Sequence, residues 1–231
     1  MKKGILLVLL SAGVALAANA QVSFGVHANG IGAGGKMESE VEGETIKFDL
    51  KNRFSWKAGA VAFVPIAPNF TLMPQLNLLS KGGKISESYS ESYEGTDYSI
   101  ETKMEARLTY IEVPLNITYS SENFWVGAGP SLSYGIGGKS TSSFVTKSDG
   151  KVVESSEEEG KVKFDGKADN SNDLHLKALE MGANFTAGYK FNNGLFVQAN
   201  FNLGLSNISP AENSTWKNRY FGIGVGYVFR K

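Results

Sequence analysis

Only two side chains in this 231-residue sequence titrate near neutral pH by default, His27 and His175. A histidine beside an activated serine could work on a lipid ester, but no nucleophile motif accompanies His175 near the external rim, where a lone histidine is ordinarily a polar surface residue, and His27 shares the inward phase of Ser23 and Asn29. No catalytic residue is assigned, and the chain is read as a non-enzyme. Charge appears in a second pattern. Lys57, Glu112, Glu180 and Lys190, with Arg230 in the same phase, sit among the polar members of alternating segments, joined by the amides of Gln198 and Asn200. Such groups are expected to pair inside an enclosed space; a proton or ion path along them is the alternative. A third cluster, Glu154, Glu157, Glu158, Glu159, Asp165, Asp169 and Asp173, offers oxygen ligands of the kind calcium takes, yet its spacing matches no EF-hand loop. It reads as a hydrated loop, and no metal or cofactor is assigned. The glycine strings Gly30 to Gly35 and Gly222 to Gly224 lack the strand-to-helix turn that phosphate binding needs.

The elements that must position these groups are strands. Phe221, Ile223, Val225, Tyr227 and Phe229 are apolar, while Gly222, Gly224 and Gly226 fall between them. Leu195, Val197, Ala199, Phe201, Leu203 and Leu205 likewise alternate with a face holding Phe196, Gln198, Asn200 and Asn202. A period of two means that each strand separates two environments. The same alternation runs through Ile111 to Tyr119, Phe124 to Gly137 and Leu179 to Phe191. It is blurred by Val61, Phe63 and Met73 in segments 22–34, 54–64 and 70–79. Brief turn-rich links, Pro65 to Asn69, Ser120 to Asn123 and Asn192 to Gly194, alternate with long polar ones.

Eight strands with that alternation describe an antiparallel up-and-down transmembrane β-barrel, all-β, its apolar face touching lipid. Phe221, Ile223, Val225, Tyr227 and Phe229 are expected to face the lipid; Lys57, Glu112, Glu180, Lys190, Gln198 and Asn200 are expected to fill the interior. Val225→Arg is expected to cost about 2 to 4 kcal/mol, and Gln198→Arg less. Aromatic residues near the short turns and Trp56, Tyr134 and Trp216 toward the other rim suggest two girdles. A soluble carrier barrel would place the oily face inward, which the inward amides and charges argue against.

Residues 1–20 read as a signal peptide: Met1-Lys2-Lys3, an apolar run Ile5 to Leu10, and the small-residue site Ala18-Asn19-Ala20. The barrel domain then spans 21–231, with 21 basic against 23 acidic residues once Lys2 and Lys3 are removed. No basic excess points to nucleic acid as a partner. Cysteine is absent, which excludes a disulfide framework and a lipidated cysteine. Within the long links, Ser148-Asp149-Gly150 carries a hairpin signal, and Ser86 to Tyr93 holds a short tandem repeat.

Three motifs carry a family resemblance. Tyr110-Ile111-Glu112-Val113-Pro114-Leu115, Gly127-Ala128-Gly129-Pro130-Ser131-Leu132-Ser133-Tyr134, and the stretch from Gly194 through Ile208 resemble strands of the PorT-like outer-membrane β-barrel family. The resemblance covers most of the chain from the second strand onward. It implies an eight-stranded barrel in the outer membrane of a Gram-negative bacterium, with periplasmic termini, seated in outer-membrane lipid and inserted by the outer-membrane assembly machinery. It implies no activity. The role expected is structural, adhesive or accessory to an envelope protein partner, with the loops from Gly82 to Lys103 and Lys139 to Asp173 as contact surface; the alternative is a narrow channel for ions or small solutes. Arg230-Lys231 following Phe229 departs from the aromatic ending common in such proteins.

Overall fold

The computed structural model describes residues 22–93, 96–168 and 173–229. The segment read as a signal peptide, Asp169, Arg230 and Lys231 lie outside the described residues. Ten strands follow in chain order: β1 (Ser23–Val41), β2 (Glu44–Ala67), β3 (Phe70–Tyr93), β4 (Thr96–Ser121), β5 (Phe124–Ser148), β6 (Lys151–Lys163), β7 (Leu174–His175), β8 (Leu179–Lys190), β9 (Leu195–Gly204) and β10 (Ser214–Val228). The hydrogen-bonded order is β4-β3-β2-β1-β10-β9-β8-β5, and β5 also pairs with β4. That pairing closes a ring of eight antiparallel strands.

The two extra strands arise because β5 has two partners on one edge. Phe124 to Tyr134 pair with β8, whereas Lys139 to Ser148 pair with β6, which in turn holds the two-residue β7 in parallel. Closure leaves no unpaired edge at membrane depth, as lipid requires. No helix among the described residues is long and apolar enough to cross a membrane.

Side chains obey the period of two. Phe221, Ile223, Val225, Tyr227 and Phe229 are exposed on the outer wall, as are Ile111, Leu115 and Ile117 of β4. An apolar exterior around a polar interior is the reverse of a carrier barrel. Trp56 and Tyr134 stand outside, but Trp216 is buried in the inward phase, so it belongs to the core and not to an outer girdle.

The segments read as loops are largely strand. β3 and β4 remain paired from Phe70 opposite Tyr119 to Tyr93 opposite Thr96. At about 3.3 Å per residue, the 26 residues of β4 span roughly 85 Å, far more than an apolar band about 25 Å tall. Beyond the membrane both faces of these strands meet water. No apolar alternation is then required, which is why the sequence pattern hides them. Turns Glu42-Gly43 and Asp149-Gly150 each take positive φ at both residues, the twist that tight hairpins need.

Candidate functional site

The barrel interior is filled in layers. Nearest the short turns, Val61, Met73, Trp125, Phe196 and Val228 cluster with Phe63 against them. The rings of Phe63, Trp125 and Phe196 meet edge to face with centroids 5.7 to 6.1 Å apart. Val61, Phe63 and Met73, which disturb the sequence period, therefore form a plug. Two glycines make room for it: a Cβ on Gly188 would overlap the Trp125 ring and one on Gly226 the Phe196 ring.

Above the plug lies an amide layer. Gln198 Nε2 donates to Asn29 Oδ1 at 3.0 Å, Asn29 Nδ2 lies 2.7 Å from His27 Nδ1, and Asn184 Nδ2 donates to Asn116 Oδ1 at 3.0 Å. His27 and Asn200 are both buried in the interior. Several polar atoms in this layer, including His27 Nε2 and both side-chain atoms of Asn200, have no protein partner. Ordered water is the usual partner of such groups where space allows.

The charged layer comes next. Lys81 Nζ lies 3.1 Å from Glu180 Oε1 and 3.3 Å from Glu112 Oε2, and donates to Ser133 Oγ at 2.9 Å. Tyr220 OH donates to Glu112 Oε1 at 2.6 Å, and Asn218 Nδ2 to Glu180 Oε2 at 2.8 Å. Lys57 is buried without a hydrogen-bond partner, its ammonium 5.3 Å from the Tyr220 ring centroid. Two lysines thus offset two glutamates in a buried layer, where an isolated charge would be prohibitive. Lys57, Glu112, Glu180, Gln198 and Asn200 are all buried within the wall. Lys190 is not. It keeps the inward phase but is the last residue of β8, and it is exposed where the wall ends.

Sequence reasoning missed Lys81, Ser133, Asn218 and Tyr220. Lys81 extends the inward series Met73, Gln75, Asn77 and Leu79 by one step, a signal lost by ending the strand at Leu79. Arg53 was missed as well. The β2–β3 ladder is interrupted between Lys51 and Lys57, and the Arg53 guanidinium spans that gap to Ser80 Oγ at 3.3 Å and Glu105 Oε1 at 3.2 Å.

Toward the long hairpins a second apolar cluster closes the lumen. Leu79 and Leu108 from the wall meet Val162 of β6 and Leu176 and Ile208 from the connecting segments. Above it opens a mainly apolar hollow of about 310 Å³ lined by Met37, Leu50, Ile85, Met104, Leu174 and Trp216. His175 is tied to Asp165, Nδ1 to Oδ1 at 2.8 Å, beside β6. The Asp165 carboxyl is held below its ordinary value chiefly by that hydrogen bond, and Asp173 chiefly by Lys163 at 2.7 Å. Among the described residues no three carboxylates or histidines converge as metal ligands.

A closed ring of eight strands, oily outside and polar within, defines a transmembrane β-barrel. The chain belongs to the outer membrane protein beta-barrel domain family, whose family model matches residues 13–209. No curated protein matches. Among solved structures it is similar to the attachment invasion locus protein Ail of Yersinia pestis, at 11% identity, covering 90% of this chain and 99% of that one with a TM-score of 0.35. The outer membrane protease OmpT of Escherichia coli gives 11% identity, 91% and 97% coverage and a TM-score of 0.36. Neisserial surface protein A gives 12%, 90% and 99%, and 0.34. At that level of identity and superposition nothing about activity transfers.

Proposed function

We propose that this outer-membrane barrel is a closed, non-enzymatic protein with a structural, adhesive or accessory role in the envelope. Its long-hairpin rim is the contact surface, and the PorT-like resemblance of its wall motifs is kept as the finer family reading. The observation that carries this is occlusion: apolar clusters close the lumen at both ends of a charge-balanced layer. The rim strands of β3 to β6 stand clear of the membrane and carry exposed Tyr89, Tyr98, Val152 and Val153, side chains suited to a protein contact. In this reading residues 1–20 are removed on export, the assembly machinery inserts residues 21–231 into outer-membrane lipid, and the termini and short turns face the periplasm. The partner is another envelope protein or a surface outside the cell.

A narrow channel is the second reading, favoured by the unpartnered polar atoms of the amide layer, which would suit a file of water. Planar-bilayer recording separates the two. The closed reading expects no steady conductance, and a large steady conductance overturns it. A photo-crosslinker at Tyr98 or Val152 in living cells is expected to capture an envelope partner, whereas one at the Phe70 turn is not.

A further inference from the structure

The outer wall changes character in one direction only. Along each ring strand, from the short turns toward the long hairpins, the first charged side chain in the outward phase is Lys36 on β1, Lys51 on β2, Lys84 on β3 and Arg107 on β4. Lys139 on β5 and Arg219 on β10 continue the series, and Lys177 stands two residues before β8; within their own bounds β8 and β9 carry no outward charge. No carboxylate takes that first position on any strand, although acidic and basic residues are equal in number over the chain, 23 each. Register shifts in β2 and β5 return Lys51 and Lys139 to the outward face.

The basic residues are also placed against one another. Lys51 is directly opposite Lys84, Arg107 opposite Lys139, Lys36 opposite Lys217, and Lys139 opposite Lys161 on its other side. Like charges in direct register destabilise a sheet unless an anion lies between them. Protein carboxylates answer only part of this. Glu105 reaches Arg107 at 2.7 Å and Arg53 at 3.2 Å, Glu159 reaches Lys139 at 3.8 Å, and Asp49 reaches Arg219 at 3.8 Å. Asp49 and Glu105 stand in register on the other sides of Lys36 and Lys84, and Lys51 Nζ donates to Ser86 O at 3.2 Å, but among the described residues no salt bridge reaches Lys36, Lys51 or Lys84. A cleft of about 630 Å³ opens where Lys51, Lys84, Lys103, Arg107 and Lys139 converge with Glu105, Glu157 and Glu159. The opposite edge of the apolar band is aromatic, with Phe70, Tyr119, Phe124, Tyr189 and Phe229 exposed there.

We propose that this basic girdle seats the phosphate groups of anionic glycolipid headgroups in the leaflet on the long-hairpin side. The inference rests on the membrane orientation of the preceding reading and adds the chemistry of the lipid. Headgroup phosphates lie at the edge of the hydrocarbon, the height at which the girdle begins. Paired ammonium and guanidinium groups donate to one phosphate from two strands, which turns the in-register repulsion into a binding site.

The test uses the full chain refolded in detergent and titrated with bisphosphorylated lipid A or with the same lipid stripped of its phosphates, bound lipid being counted by native mass spectrometry. The phosphorylated lipid is expected to bind at least about tenfold more tightly and to weaken as salt rises. The quadruple variant Lys51→Gln, Lys84→Gln, Arg107→Gln, Lys139→Gln is expected to lose about tenfold or more, and Lys147→Gln with Lys151→Gln on the distal hairpin to lose nothing. Equal affinity of the unaltered chain for the two lipids overturns the proposal, as does undiminished binding by the quadruple variant. The two-lipid comparison needs no variant, so it decides even if the quadruple variant fails to fold. Heat-modifiable gel mobility on the same samples reports the barrel separately: a chain that shifts normally without discriminating the lipids loses the girdle alone, and one that neither shifts nor inserts loses the membrane reading with it.

Discussion

Lys81 is the residue on which the interior turns, because its ammonium forms salt bridges to both buried glutamates. Lys81→Met leaves Glu112 and Glu180 without their shared cation, and breaking a buried pair from one side costs about 3 to 5 kcal/mol. Denaturant unfolding of the folded chain in detergent is expected to show that loss, and adding Glu112→Gln with Glu180→Gln to recover most of it. Gly226 is the second sensitive position. Gly226→Leu is expected to abolish heat-modifiable mobility by driving a side chain into the Phe196 ring and the Val26 carbonyl oxygen, a clash that Phe196→Ala in the same chain relieves only in part. Gln198 is buried against Asn29, so Gln198→Arg is not the mild change an open polar interior would allow.

The hairpins beyond the membrane are stabilised by local devices. Gly150 has φ 75 in the Asp149-Gly150 turn, so Gly150→Val imposes about 1 to 2 kcal/mol of strain there. Proteolysis is expected to become faster between Ser148 and Lys151 while the barrel keeps its gel shift. The segment between β6 and β7 depends on ionised carboxylates: Asp165 with His175, and Asp173 with Lys163 and the Lys161 amide. A carboxylate held below its ordinary value stabilises the fold above that value and loses the contribution as pH falls through the lowered one. The Leu176 amide, bonded to Lys163 O at 2.9 Å, is therefore expected to lose exchange protection as pH drops below about 4, and to hold it at pH 7.

For the molecule as a whole, insertion depends on the outer wall and closure on the inner one. Val225→Arg exposes a charge to acyl chains at mid-band and is expected to cost about 2 to 4 kcal/mol in vesicle folding equilibria, whereas Lys147→Gln on the rim leaves insertion unchanged. The wall was legible in the chain because Phe221 to Phe229 and Leu195 to Leu205 must alternate wherever one face meets lipid and the other does not. The rim was not, because residues 86–92 and 96–104 are exposed or half-buried on both faces and carry no such constraint. The charged layer was half legible. Glu112 and Glu180 showed as polar intrusions in apolar strands, while Lys81 lay past the point where the pattern fades.

Sequence alone determined the eight-strand ring, the outward and inward faces and the order of short and long connections, since each follows from local alternation and turn chemistry. Tertiary structure decided what fills and shuts the tube. Val61, Phe63, Met73, Trp125 and Phe196 come from four strands, and Lys81, Glu112 and Glu180 from three. Contacts between residues as far apart as Lys81 and Glu180 are fixed by closure of the ring and leave no periodic trace in the chain.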